Sequence, residues 1–324
     1  MTTDVRVTAP SFREAIASRL RADSATLGDA SRHLLGAGGK GVRPKVLNLV
    51  ARAHMKNGAA LATHEGLAEA IELVHVGSLI HDDILDEAAT RRGVPSVHVR
   101  WDAKVAVLAG DWLLAQASRR VAALGDNVLT DRFAEMIGDL CEGELLQDEQ
   151  RGRLDLGLDA YLERIAKKTA APFELATEGA ARLAGANPRA VAVARRFGFH
   201  LGRLFQLVDD MLDWSSSSEA LGKPAGRDLL DGTLTLPVLV ALEDPEVGPR
   251  LRAALTPWPA EIDASIRALV LAERPAAETM RLVMAEAELA MRWMGELPEG
   301  PARDELFTVL NDLAASAGWQ GGLV

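Results

Sequence analysis

One cysteine, Cys141, stands among 324 residues, so no internal disulfide can form. That usage suits a reducing cytoplasm, and a cytoplasmic protein is expected. No apolar run approaches the roughly 20 residues a membrane-spanning helix needs, which argues against a span. The opening residues, Met1-Thr-Thr-Asp-Val-Arg-Val7, lack the hydrophobic core of a signal segment. Positive charge is also short. Thirty-six Lys and Arg face 46 Asp and Glu, a net charge of −10, which argues against a nucleic-acid partner. Lysine is the scarcer cation, seven residues against 29 arginines. Aromatics make up only 4% of the chain, and strand formers are sparse outside short runs. What remains is rich in Ala, Leu, Glu and Arg, the composition of a helical protein. An acidic protein that holds anions must gather its cations locally, and Lys40, Lys168 and Lys223 each fall inside a motif.

The most informative stretch is Glu72-Leu-Val-His75-Val-Gly77-Ser78-Leu-Ile-His81-Asp82-Asp83-Ile-Leu-Asp86-Glu87, followed by Thr90-Arg91-Arg92-Gly93. Residues three and four apart share a helix face, so Asp82, Asp83 and Asp86 are expected to converge on one side. Clustered carboxylates repel unless a cation sits between them. Mg²⁺ answers that need, because it takes oxygen ligands, one or two carboxylates at a time, with phosphates completing the shell. The plainer reading is a solvated acidic helix end. A second copy changes that balance: Gln206-Leu-Val-Asp209-Asp210-Met-Leu-Asp213, after another apolar helical run, Phe197 to Phe205. Together they describe two acidic helix ends facing each other across a cavity, with metal ions and a diphosphate between.

Along the chain, residues 1–10 read as a loose tail. Phe12, Ile16 and Leu20 recur every four residues, predicting a helix that continues, with a break, to Leu35. Gly36-Ala-Gly-Gly-Lys40-Gly-Val-Arg43-Pro44 interrupts it before a helix from Lys45 to about Met55. Glycines, Lys40 and Arg43 ahead of a helix make an anion site, although a Gly-rich turn explains the pattern as well. Ala62–Glu87 is one long helix, with His75 two turns before Asp82 and His81 structural. Gly93–Ala103 reads as a loop. Lys104–Leu124 is a helix with Val105, Leu108, Trp112 and Ala115 on one side, and Asp111 pairs or caps locally. Thr130–Asp148 ends in an acidic run read mainly as solvated, though Gln147 could face the cavity. Tyr161–Ala184 carries Lys167, Lys168 and Thr169, and Pro172 predicts a kink that frees a carbonyl. Leu221–Pro237, with Lys223, reads as a mobile phosphate-covering loop. Residues 238–324 are further amphipathic helices with loops around Pro245, Pro257 and Pro298.

These motifs resemble the trans-prenyl diphosphate synthases. Gly-Gly-Lys40-x-x-Arg43-Pro, Asp82-Asp-x-x-Asp86 with Thr-Arg91-Arg92-Gly, Lys168-Thr169, Phe205-Gln206-x-x-Asp209-Asp210-x-x-Asp213 and Gly-Lys223-Pro occur in that family's order, over roughly Leu34 to Ala241. The resemblance implies an all-α fold, one large helical bundle around a deep central cavity (the isoprenoid synthase type I fold), filling residues 1–324 as a single domain and usually a homodimer. It implies head-to-tail condensation of isopentenyl diphosphate with an allylic prenyl diphosphate. Three Mg²⁺ ions would be held by Asp82, Asp86 and Asp209, with Asp83, Asp210 and Asp213 in support. Arg91, Lys168 and Lys223 would bind the allylic diphosphate. Lys40, Arg43, His75 and Arg92 would bind isopentenyl diphosphate. Thr169, Gln206 and the Lys168 carbonyl would stabilise the carbocation. The chain departs from the family at Gly41 and Thr233, where arginine and lysine are common, and lacks the basic C-terminal tail of some short-chain members.

Gly77 and Ser78 are small where short-chain synthases place an aromatic ring. That predicts a long product, hexaprenyl to decaprenyl, of the kind used for quinone side chains. A floor at Trp112 or Met136 would instead give geranylgeranyl or farnesyl diphosphate. A terpene cyclase has a different second metal motif and no use for Lys40 and Arg43. A non-catalytic subunit of a heteromeric synthase tends to lose aspartates, and this chain keeps all six. The sequence leaves chain length, primer, partner subunit and pathway open.

Overall fold

The computed structural model of the chain describes residues 12–39, 41–55, 62–215 and 226–318. Lys40, Lys223 with its surrounding loop, residues 1–10 and the C-terminal tail lie outside them. Among the described residues the only strands are β1 (Thr90–Arg91) and β2 (Val94–Pro95), a two-stranded hairpin; all other regular structure is helical, as the composition predicts. The chain divides into two compact units, residues 1–48 with 60–131, and residues 49–59 with 132–324.

The first unit contains α1 (Phe12–Arg19), α2 (Ala25–Gly36), the start of α3 (Val42–His54), α4 (Ala62–Leu85), the hairpin, α5 (Val97–Arg100) and α6 (Ala103–Ala122). Ser24 starts α2 by accepting from the Leu27 amide at 3.3 Å, and Asp102 starts α6 by accepting from Val105 at 2.7 Å. The stretch expected to be loop after Gly93 thus holds a strand and a helical turn. α4 packs along α6 at close range. A Cβ on Gly77 would lie 3.2 Å from the Gly110 carbonyl, and a Cβ on Gly110 would strike the His81 ring. The His81 Nε2 reaches the Val107 carbonyl at 3.2 Å and Asp111 at 3.7 Å, so both residues have the local roles expected of them. The expected apolar side of α6 is out of phase. Its buried face is Ala106, Ala109, Gly110, Leu113, Ala117 and Val121, while Leu108 is 50% exposed. Small residues took the inner face because α4 comes so near.

The second unit contains most of α7 (Asn127–Glu149), then α8 (Leu158–Ile165), a π-helical turn (Ala166–Ala170), α9 (Ala171–Leu183) and α10 (Pro188–Ser215). It continues through α11 (Arg227–Leu230), α12 (Leu236–Glu243), α13 (Val247–Ala254), α14 (Ala264–Val270), α15 (Glu273–Gly295) and α16 (Pro301–Ser316). The interruption expected near Lys168 takes the form of a π-turn, Ala166–Ala170, that contains Lys168. Pro172 sits in the first turn of α9, where its missing N–H costs nothing. α10 is the axis of this unit, packed against α9 and α15. Gly198 and Gly202, one turn apart, face α9: a Cβ on Gly198 would strike Thr177 and the Phe173 carbonyl, and one on Gly202 would lie 2.6 Å from the Ala170 Cα. Phe173 and Phe197 are fully buried in this unit, each contributing roughly 1.5–3 kcal/mol. Glu286 of α15 accepts from His200 at 2.7 Å and pairs with Arg203 at 3.2 Å, fixing the rotation of α10.

Candidate active site

In the first unit, α4 carries its two acidic functions on different sides. One residue step rotates a helix by about 100°, so Asp82 and Asp83 cannot share a face. Asp82 is half-buried and Asp86 exposed one turn on, whereas Asp83 points inward and is fully buried. Its Oδ1 accepts from Arg91 at 2.7 and 2.6 Å. Convergence of all three carboxylates is thus corrected to a pair, Asp82 and Asp86, with Asp83 serving to hold Arg91. Arg91 is on β1, and Arg92 and Gly93 form the hairpin turn with φ of 53° and 78°. Both values are left-handed, the geometry of a two-residue hairpin, and for Arg92 it is a strained one.

A cationic cluster lies beside that hairpin. Arg13 of α1 is buried and ion-pairs through Nε with the equally buried Glu72 of α4. Arg13 Nη1 donates to the Gly38 carbonyl at 2.6 Å, and Arg92 donates to the same oxygen. Gly39 has φ of 155°, and a Cβ there would lie 2.6 Å from the Arg13 guanidinium. Glycine is required at that point. Burial, with Arg13 nearby, lowers the Arg43 pKa, and Glu72 offsets part of the effect. Burial also pushes His75 well below its ordinary range, with Arg43, Arg13 and Arg91 adding to the shift. His75 is therefore neutral and can donate one hydrogen bond. Arginines outnumber carboxylates here, the condition of an anion site. Arg13 and Glu72 escaped the sequence reading: a lone arginine on a short amphipathic helix gives no signal of where it points.

In the second unit, Gly202 of α10 brings the π-turn against it at Ala170 while Gly198 seats α9, and Gln206 is the next residue on the same stripe. Thr169 Oγ1 donates to Gln206 Oε1 at 2.8 Å. Lys168 Nζ reaches Gln147 at 3.2 Å and Glu144 at 2.5 Å, while Lys167 pairs with Asp139 at 2.9 Å and Glu142 at 2.6 Å. The acidic end of α7 is thus paired with these lysines, not simply solvated. Asp209 is exposed. Asp210 is buried, and both its oxygens are engaged: Oδ1 by Gln206 Nε2 at 2.7 Å, Oδ2 by the Tyr161 hydroxyl at 2.6 Å and the Leu236 amide at 3.4 Å. Burial raises its pKa to about 6 against the lowering effect of those donors. Asp213 is raised mainly by burial and accepts from the Gly226 and Asp228 amides, which places α11. Asp228, also raised by burial, to about 7, adds a fourth carboxylate beside Asp209, Asp210 and Asp213.

Among the described residues no three carboxylate or histidine side chains are grouped as a closed metal cage. Asp82 with Asp86, and Asp209, suit Mg²⁺ nonetheless, because that ion keeps several waters and binds one or two carboxylates plus phosphate oxygens. No described helix is long and apolar enough to cross a membrane.

A family model described as polyprenyl synthetase matches residues 24–270. Heptaprenyl diphosphate synthase component 2 of Geobacillus stearothermophilus is 35% identical over 305 residues, covering 94% of this chain and 93% of its own length. The crystal structure of heptaprenyl diphosphate synthase from Staphylococcus aureus superposes with a TM-score of 0.86 at 28% identity, covering 94% and 96% of the two chains. That of geranylgeranyl pyrophosphate synthase from Lactobacillus brevis gives 0.83 at 30% identity, covering 94% of both. By motif order, fold and sequence, the chain is a prenyltransferase of the polyprenyl synthetase family.

Proposed function

We propose that the protein condenses isopentenyl diphosphate head-to-tail with an allylic prenyl diphosphate, Mg²⁺-dependently, to a long all-trans polyprenyl diphosphate. The observation that carries this reading is that both Asp-Asp-x-x-Asp motifs are intact, each ending a long helix, α4 or α10, beside basic side chains. Asp82, Asp86 and Asp209 would hold three Mg²⁺ ions, which when bound would neutralise charge on the departing diphosphate. Arg91, Lys168 and Lys223 bind that diphosphate. Arg91 and Lys168 keep donors to spare beyond their present carboxylate partners. The allylic C1–O bond breaks and its electron pair leaves with the diphosphate. Thr169, Gln206 and the Lys168 carbonyl face the cation with oxygen dipoles that stabilise it without trapping it. Arg43, His75 and Arg92, with Lys40, bind isopentenyl diphosphate. Its double bond supplies the electrons of the new C–C bond, and the released diphosphate takes the proton that leaves.

Gly77 is small because α4 packs on Gly110, so the reading of a long tail rests on the small side chain of Ser78, half-buried with Oγ turned to the His75 carbonyl at 2.9 Å. Geranylgeranyl diphosphate is the second reading. A homodimer is supported by the outward face of α6, where Val107 and Leu108 are 44% and 50% exposed. Asp82→Ala and Asp209→Ala test the reaction: each abolishes turnover with the melting temperature unchanged, and near-normal rates in either would sink the proposal.

A further inference from the structure

Gly198, Gly202, Gln206 and Asp210 follow one another at four-residue intervals along α10 and so form one stripe. Gly198 seats α9, Gly202 seats the π-turn at Ala170, Gln206 meets Thr169, and Asp210 closes the row. The chain's single tyrosine, Tyr161, is buried at the far side of Asp210, with the Arg164 guanidinium 5.4 Å from its ring centre. Arg164 is itself anchored to the Leu234 carbonyl at 2.7 Å.

The order of donors along this row has one direction. Both oxygens of Asp210 accept hydrogen bonds, Oδ1 from Gln206 Nε2 and Oδ2 from the Tyr161 hydroxyl. Asp210 therefore turns the amide nitrogen of Gln206 toward itself, which leaves Gln206 Oε1 on the opposite side. Gln206 Oε1 takes the proton of the Thr169 hydroxyl. With that proton committed, the remaining lone pairs of Thr169 point away from Gln206. We propose that Tyr161 and Asp210 are positioning residues that fix the polarity of the Gln206–Thr169 pair, so that oxygen lone pairs and not N–H or O–H donors face the allylic cation. Asp210, although part of the second aspartate motif, does this in place of binding metal. The inference rests on the elongation reading above.

Steady-state kinetics of the full chain with farnesyl diphosphate, isopentenyl diphosphate and Mg²⁺ test it, with a melting curve for every variant. Tyr161→Phe removes one hydroxyl from a buried row and should lower kcat about tenfold. Asp210→Asn introduces a donor that lets the amide reverse, and should lower kcat about a hundredfold. In both, the KM values and the Mg²⁺ concentration for half-maximal rate should stay within about twofold of wild type, because no substrate or metal contact is lost. The double variant should be little slower than Asp210→Asn, since the two residues act through one chain of bonds. Asp209→Asn, by contrast, should raise the Mg²⁺ requirement. If Asp210→Asn raises it likewise, Asp210 is a metal ligand and the proposal fails. Wild-type kcat in Tyr161→Phe also overturns it, even if Asp210→Asn does not fold. A wild-type protein that forms no product overturns the functional reading itself.

Discussion

Gly202→Ala adds one methyl group where α10 meets the π-turn, and its consequences can be worked through from the contacts. The new Cβ would lie 2.6 Å from the Ala170 Cα, 3.1 Å from the Ala170 Cβ and 3.1 Å from the Phe173 ring. Two of these neighbours belong to a buried backbone segment, so the clash is relieved only by moving the π-turn away from α10. Overpacking of this kind costs about 1–3 kcal/mol. Alanine recovers part of it, because glycine inside a helix is less favourable by roughly 0.5–1 kcal/mol. The net loss should be about 0–2.5 kcal/mol. Gly138, in the exposed middle of α7, is the matched control: a Cβ there meets nothing within 4 Å, so Gly138→Ala should stabilise by about 0.5–1 kcal/mol. Urea denaturation reads both. Gly202→Ala must also separate Thr169 from Gln206, so the folded variant should lose kcat by about tenfold or more while Gly138→Ala keeps it. A Gly202→Ala protein that is more stable than wild type and fully active would refute the close-packing account.

Three further outcomes follow from single contacts. Ser78→Phe should shorten the product ladder in mass spectra; an unchanged distribution would place the tail elsewhere. Arg91→Met leaves the buried Asp83 carboxylate without its cation and should destabilise by about 3–5 kcal/mol in thermal or urea melts, where a loss under 1 kcal/mol would contradict the pairing. Asp228 has its pKa raised to about 7 in the folded protein, so its contribution to stability is greatest at low pH and is lost as pH rises through that value. Asp228→Asn should accordingly stabilise the protein at pH 8 in EDTA by on the order of 2 kcal/mol in urea melts, with a smaller effect at pH 5.

How far the sequence carries depends on whether a function leaves a spacing. Asp-Asp-x-x-Asp does, and so does a proline after a Gly-Lys turn; both acidic helix ends and the start of α3 are legible from such spacings. Spacing is blind to direction within a turn of helix. It groups Asp83 with Asp82 and Asp86, although burial sends Asp83 to Arg91, and it puts Leu108 on the inner face of α6, where Ala106, Ala109, Gly110 and Leu113 lie instead. Pro172 signals a break in the right place, and the local excess of one residue is absorbed there by a π-turn. Arg13, Glu72, Tyr161 and Asp228 are invisible to pattern because each matters through a partner distant in the chain, 59 residues away for Arg13 and 49 for Tyr161.

The most direct test is a mass-spectrometric product profile of the purified chain with isopentenyl diphosphate and either farnesyl or geranylgeranyl diphosphate, run with Mg²⁺ and again with EDTA. The account predicts a ladder ending in hexaprenyl to decaprenyl diphosphates, present with Mg²⁺ and absent without it. A ladder that stops at twenty carbons would keep the chemistry and contradict the long product. No elongation in Mg²⁺, or the same elongation in EDTA, would contradict the central claim.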